Sequence, residues 1–272
     1  MQIPARRRVP TRGGSAQVKV IDLTQPWGDR MPTWPQFESI EVTDITTHQR
    51  DRKSTMLVKT NMHTGTHIDA PSHYCETGKH LGDISIEELV GTGLVIDLRP
   101  VTDRWSLYRL DQVLAHAPEP IREGDIVILY TGWERYNWTQ KTRDDVTYFD
   151  RHPGPHPEVV DYLVGKKIKW LGTDLASTDH SLCTRVRLMR PDLVGEYEAM
   201  VGQPVEEVLP TKWFDYNHYR TARSNIPLLE NLGGDVAVVA GRRVTLGAFP
   251  WRWVGGEASI CRVVAFLDEE RR

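Results

Sequence analysis

Cysteine is scarce in this chain. Cys75, Cys183 and Cys261 stand far apart, and no CxxC pair occurs. So sparse a set excludes a disulfide framework and a thiolate zinc knuckle, and it fits a reducing cytoplasm. No apolar run approaches the roughly eighteen residues that span a bilayer, so no membrane partner is expected. The N-terminal MQIPARRRVPTRGGS is charged but lacks the apolar stretch of a secretory signal. Residues 1–15 read as a flexible, solvated arm. An excess of one charge is also missing. With 34 basic and 37 acidic residues the net charge is −3, which argues against a nucleic-acid partner. GxGxxG and Walker loops are absent, which counts against nucleotide cofactors. GxSxG is absent too, which weakens a serine-hydrolase reading.

What is present is an ordinary globular composition, 39% hydrophobic and 26% charged over 272 residues. Strands are expected at Val18–Thr24, Ser39–Thr46, Thr55–Met62, Gly93–Leu98, from Gly124, and at Lys169–Leu175, with three more in the last forty residues, including DVAVVAG. Helices are expected at Ile84–Val90, Ser106–Ala117, His156–Gly165, and at Val205–Arg220 with a break at Pro210. Strands and helices mix without strict βαβ alternation. The expectation is one α/β domain over residues 16–272, with a mixed sheet or partly closed barrel and flanking helices.

Histidine is uncommon, ten in the chain, yet HTGTHIDAPSHY places three of them beside an aspartate between His63 and His73. Threonine, isoleucine and Pro71 disfavour a helix there. On a strand, His63, Gly65, His67 and Asp69 share one face, with glycine leaving space between the polar groups. Two imidazoles and a carboxylate suit a divalent metal, and the donor set admits Zn²⁺ or Mn²⁺. A structural polar cluster is the other reading of the spacing. His73 follows the turn at Pro71 and can swing back toward the same point.

HTGTHIDAPSH resembles HxGTHxDxPxH, the signature of the cyclase family of metal-dependent hydrolases, which includes bacterial kynurenine formamidase and isatin hydrolase. IDLTQPW…MPTWP, LVIDL, GDIVILYTGW, GTDLASTD and IPLLENL are similar to further stretches of that family, over about Val18 to Leu267. The resemblance implies a swivelling β/β/α-like fold and a metal held by His63, His67 and Asp69. It implies a second ion bridged by Asp69 and held by His218 and Glu230, twelve residues apart, so one or two ions per chain. It casts His73 as the proton-transfer residue, and a homodimer or homotetramer is a family expectation. Asp174 or Asp179 is expected either to orient a ligand histidine or to cap a turn. The family stretch before the last strand usually reads serine-proline; here it is Ser259-Ile260, within PWRWVGGEASICRVVAF.

The expected activity is hydrolysis of a C–N bond in an aromatic or cyclic amide, aryl formamide or lactam by a metal-activated water. Trp27, Trp34, Phe249 and Trp251, with Trp253, are candidate walls for a planar small-molecule substrate. The alternatives are a metal-dependent cyclase or dehydratase, a lactonase, and a metal- and ligand-binding protein without turnover.

Overall fold

The computed structural model describes residues 18–268. The expected N-terminal arm lies outside them. Strands β1 (Val18–Asp22), β2 (Glu41–Thr46), β3 (Thr55–Lys59), β4 (His67–Asp69), β5 (Val90–Asp97) and β6 (Leu107–Tyr108) fall in the first part of the chain. After them come β7 (Ile126–Tyr130), β8 (Gly154–Pro155), β9 (Leu171–Thr173), β10 (Leu228–Glu230), β11 (Arg242–Pro250) and β12 (Ala258–Asp268).

The main sheet has eight strands in the order β1-β12-β11-β5-β7-β9-β10-β4, and β4 also pairs with β12. That extra pairing closes the strands from β12 to β4 into a ring, with β1 added outside on β12. The barrel is therefore closed rather than partly open. β5, β7, β9 and β10 run parallel; β4, β11 and β12 are antiparallel to their neighbours.

Alternation along the parallel strands feeds two cores. Val95, Ile126, Ile128 and Leu229 turn into the barrel, where they meet Ile68 and Trp170. Leu94, Ile96, Val127, Leu129 and Leu228 turn outward against Val159, Val160 and Leu163 of the helix Pro157–Gly165. That helix begins with Pro157 at its first turn, where a missing N–H costs nothing. Parallel strands covered on both faces read as continuous apolar runs, which is why LVIDL and IVILY were legible as strands.

Three expectations change. DVAVVAG is not a strand: Val236–Val239 form a 3₁₀ turn whose buried residues, Val236 and Val239, are spaced by three rather than two. The chain bends there because Gly233 N–H donates to Leu23 O and Asp235 N–H to Asp22 O. The helix expected at Ser106–Ala117 is shorter, Leu110–His116, and Leu107–Tyr108 pairs with β8 instead. Val205–Arg220 is three short pieces, Val205–Val208, Thr211–Trp213 and Tyr216–Ala222, the last running past Arg220. Among the described residues no helix is long and apolar enough to cross a membrane.

β2 and β3 form a separate two-stranded hairpin. Val42, Ile45, Met56, Leu57 and Val58 on it are all exposed.

Ile68 is fully buried inside the barrel, on the strand that carries His67 and Asp69. Ile68→Ala should cost about 2–5 kcal/mol, seen as a lower denaturation midpoint, while Leu114→Ala, at an exposed helical position, should stay within about 0.5 kcal/mol of wild type.

Candidate metal centre

β4 is three residues long, with Ile68 inward and His67 and Asp69 outward. Glu230 is the direct register partner of His67 in the β10 ladder. Opposed residues in an antiparallel pair share a face, so Glu230 joins the same surface. The other neighbour of β4, β12, places Ala258 opposite Asp69.

His63 lies before the strand. The chain reaches β4 through a turn in which Gly65 has φ +69°. A Cβ at Gly65 would come within 2.8 Å of Met31 Cε and 3.1 Å of Trp27 Cδ1. Strand alternation therefore does not place His63, and Gly65 does not leave space for an ion. It supplies a left-handed turn and admits Met31 and Trp27 behind the ligand loop.

Helix Tyr216–Ala222 brings His218. The Asp179 carboxylate accepts Asn217 N–H at 2.8 Å and pairs with His218 Nδ1 at 2.6 Å. It thus holds the start of the helix and the ring together. Asp174 does the other job foreseen for the pair: it accepts Thr131 N–H, Thr131 Oγ1–H and Trp133 N–H at 2.6–2.9 Å, capping that turn.

The donor atoms converge on Asp69. Its Oδ1 lies 2.8 Å from His63 Nδ1 and 3.3 Å from His67 Nε2. Its Oδ2 lies 3.7 Å from His218 Nε2, which is itself 3.3 Å from Glu230 Oε1. His67 Nε2 is 3.7 Å from Glu230 Oε2. The structure thus brings together all five residues expected to hold metal. His67 Nε2 and both oxygens of Asp69 are buried without a hydrogen-bond partner. Buried polar atoms are almost always satisfied, so three orphans in one cluster fit a cation between them.

The outer contacts agree. His67 Nδ1 donates to Gly65 O at 2.8 Å, which leaves Nε2 facing the cluster. Thr178 N–H and Oγ1–H both donate to Glu230 Oε1. Such partners fix the orientation of ligands.

Burial alone would discharge these groups, but their neighbours outweigh it. Burial opposes a charge on His63, yet Asp69 and Glu257 push it up to about 10. His218 is raised well above the ordinary histidine value: burial opposes the charge, and Asp179, Asp69 and Glu230 overcome it. Asp69 is held well below the carboxylate range: burial would raise it, and His63 and His67 win. The cluster demands positive charge.

His73 ends the 3₁₀ turn Pro71–His73, its ring 4.2 Å from that of His63. Two groups among the described residues are tight enough for an ion: His67, Asp69 and Glu230, and His63, Asp69 and His73. His73 is therefore near enough to serve as a ligand as well as a proton carrier.

A cavity of about 360 Å³ opens onto the cluster, and Trp34, Phe37, Tyr74, Arg185 and Tyr219 stand on its wall. Of the aromatics expected around substrate, Trp34 alone lines it. Trp27 packs behind Gly65. Phe249, near the C-terminal end of β11, and Trp251, just past it, are 41% and 62% exposed, and Trp253 is 38% exposed. Sequence reasoning missed Phe37, Tyr74, Tyr219 and Glu257. Tyr74 directly follows His73; Glu257 stands in a glycine-rich turn with no periodicity to mark it.

Fold and cluster together define an α/β barrel protein with a candidate metal centre on its outer face. The family model described as putative cyclase matches residues 21–180, and the chain belongs to that family. An isatin hydrolase of Roseibium aggregatum is 27% identical over 189 residues, 61% of this chain and 70% of that protein. A kynurenine formamidase of Bacillus cytotoxicus is 29% identical over 161 residues, 58% of this chain and 69% of that protein. The crystal structure of an isatin hydrolase bound to the product analogue thioisatinate superposes with a TM-score of 0.73 at 22% identity, covering 94% of both chains. That last likeness concerns the fold.

Two results should follow. His67→Ala should lower bound metal, measured by elemental analysis, at least tenfold relative to wild type; equal content would contradict the site. The second concerns pH. With no metal, the ion pairs of His63 stabilise the fold fully below the ordinary histidine pKa of 6.5 and are lost as pH rises through about 10. A divalent ion takes neutral imidazoles, so its binding expels protons. The gap in Tm between metal-loaded and metal-free protein should therefore widen from pH 6.5 to 9; a constant or shrinking gap would contradict the assignment.

Proposed function

We propose that this chain is a metal-dependent amidohydrolase cleaving the C–N bond of an aromatic or cyclic amide, aryl formamide or lactam. The observation that carries the reading is the set of buried, unpartnered donor atoms of His67 and Asp69 at the floor of an aromatic-walled cavity. The names of the two curated relatives, isatin hydrolase and kynurenine formamidase, support the substrate class.

His63, His67 and Asp69 would hold one ion, with Asp69 shared toward a second held by His218 and Glu230; the donors suit Zn²⁺ or Mn²⁺. When bound there, a divalent ion would lower the pKa of water from about 16 to roughly 7–9 and would polarise a carbonyl. His73 borders the cavity with Nδ1 turned to Glu257, which leaves Nε2 to take a proton from the attacking water. The same nitrogen then protonates the leaving amine. Such acid–base help is worth about 10²–10⁴ in rate. Trp34 and Phe37 offer flat faces to a planar substrate, each ring adding about 0.5–1.5 kcal/mol beyond burial.

The assembly we infer is a homodimer or homotetramer. The β2–β3 hairpin supports it, because a lone hairpin is marginal in water and this one carries five exposed apolar residues. Phe37, just before β2, sits 6.0 Å from the His63 ring, so a second copy on the hairpin would border the cavity. The three cysteines are free, which supports a cytoplasmic setting.

The test is a panel of aryl formamides, lactams, lactones and aliphatic amides, assayed with Zn²⁺ and Mn²⁺. The expected products of the preferred amide together weigh one water more than it, as a single ring-opened acid from a lactam or as an amine plus formate from a formamide; a single product lighter by one water would establish the cyclase alternative instead. His73→Asn should keep metal and lose about 10²-fold or more in kcat, whereas parallel loss of metal would make it a ligand. Trp34→Ala should raise KM with metal content unchanged.

A further inference from the structure

We propose that Glu257 is a positioning residue that ties the metal centre to the proton-transfer histidine through a single carboxylate oxygen. The part concerning His73 rests on the hydrolytic reading above; the part concerning His63 does not.

Glu257 Oε2 lies 2.7 Å from His63 Nε2 and 3.2 Å from His73 Nδ1. An ionised carboxylate only accepts, so both nitrogens donate. With both rings neutral, the form a divalent ion takes, that assigns both tautomers. His63 keeps its lone pair on Nδ1, the nitrogen 2.8 Å from Asp69 Oδ1. His73 keeps its lone pair on Nε2. The shared acceptor also holds the two rings face to face, 4.2 Å apart and tilted by 36°.

The backbone makes this placement firm. Glu257 O accepts Ala70 N–H at 2.8 Å, and the next residue, Ala258, is the register partner of Asp69. Glu257 is therefore pinned to the end of the ligand strand and to the residue that opens the turn carrying His73. It stands outside the ligand set: among the described residues, the groups that converge on Asp69 do not include it. Its side chain is 44% exposed, so it bears on orientation rather than on core packing. The strand end thus delivers a carboxylate to two histidines that belong to different jobs.

Removing a carboxylate behind a ligand histidine typically costs 10–100-fold in metal affinity or activity. The experiment compares wild type, Glu257→Ala and Glu257→Gln. Zn²⁺ affinity is measured by chelator competition, and kcat and KM with an aryl formamide at saturating Zn²⁺. Glu257→Ala should weaken Zn²⁺ binding about tenfold or more and lower kcat about tenfold or more, with KM within twofold. Glu257→Gln, whose amide oxygen still accepts, should recover part of both losses. Zn²⁺ affinity and kcat both within twofold of wild type in Glu257→Ala would overturn the proposal. So would a loss in one with the other unchanged, since the two histidines would then not share the oxygen's control. If wild type hydrolyses no amide, the hydrolytic reading fails by itself. The Zn²⁺ titration then still decides: a tenfold loss sustains Glu257's hold on His63, and an unchanged affinity overturns it.

Discussion

The carboxylate of Asp69 is the constraint on which the rest of this structure turns. It is buried to 3% exposure and neither oxygen has a hydrogen bond. An uncompensated carboxylate in such a place costs several kcal/mol, so the fold must supply positive charge around it. His63 and His218 do so when protonated, and a divalent ion would meet the same demand. Protons and a divalent ion would compete for the same donor atoms, so metal affinity and pH behaviour are expected to move together.

The barrel exists, at this point, to hold three short segments in register. β4 is too short to be stable alone; it survives because β10 and β12 pair with it on both sides. That double pairing closes the sheet, and it also sets Glu230 beside His67 and Glu257 just past Ala258. Asp179 adds the remaining piece by holding the first turn of the helix that carries His218. The candidate ligands thus come from a turn, a strand, its neighbour and a helix start, and the rings of His63, His67 and His218 and the Glu230 carboxylate each meet a partner one step further out.

Much of this was legible in the sequence. HTGTHIDAPSH carries chemistry in its residue types, and buried parallel strands announce themselves as apolar runs. Asp179 could be named but not chosen over Asp174, because both sit in one loop and only the helix start distinguishes them. The strand-face argument put His63 with His67 for the wrong reason, since a positive φ at Gly65 replaces alternation with a turn. Glu257 was invisible because its role arises from a register contact some 190 residues away from His63 in sequence, at 2.7 Å in space. Of the aromatics named for a planar ligand, Trp34 lines the cavity, joined by Phe37, which was not named, while Trp251 is exposed. Composition names side chains suited to a planar ligand; only packing says which of them face it.

The most direct test of the central claim is anomalous diffraction from crystals grown with Mn²⁺ or Zn²⁺, collected at the metal's absorption edge. The account predicts an anomalous peak within about 2.0–2.6 Å of His67 Nε2 and an oxygen of Asp69, with a second peak on the far side of Asp69 toward His218 and Glu230 if both positions fill. No anomalous density at Asp69, with its oxygens instead hydrogen-bonded to protonated histidines in metal-saturated crystals, would contradict it.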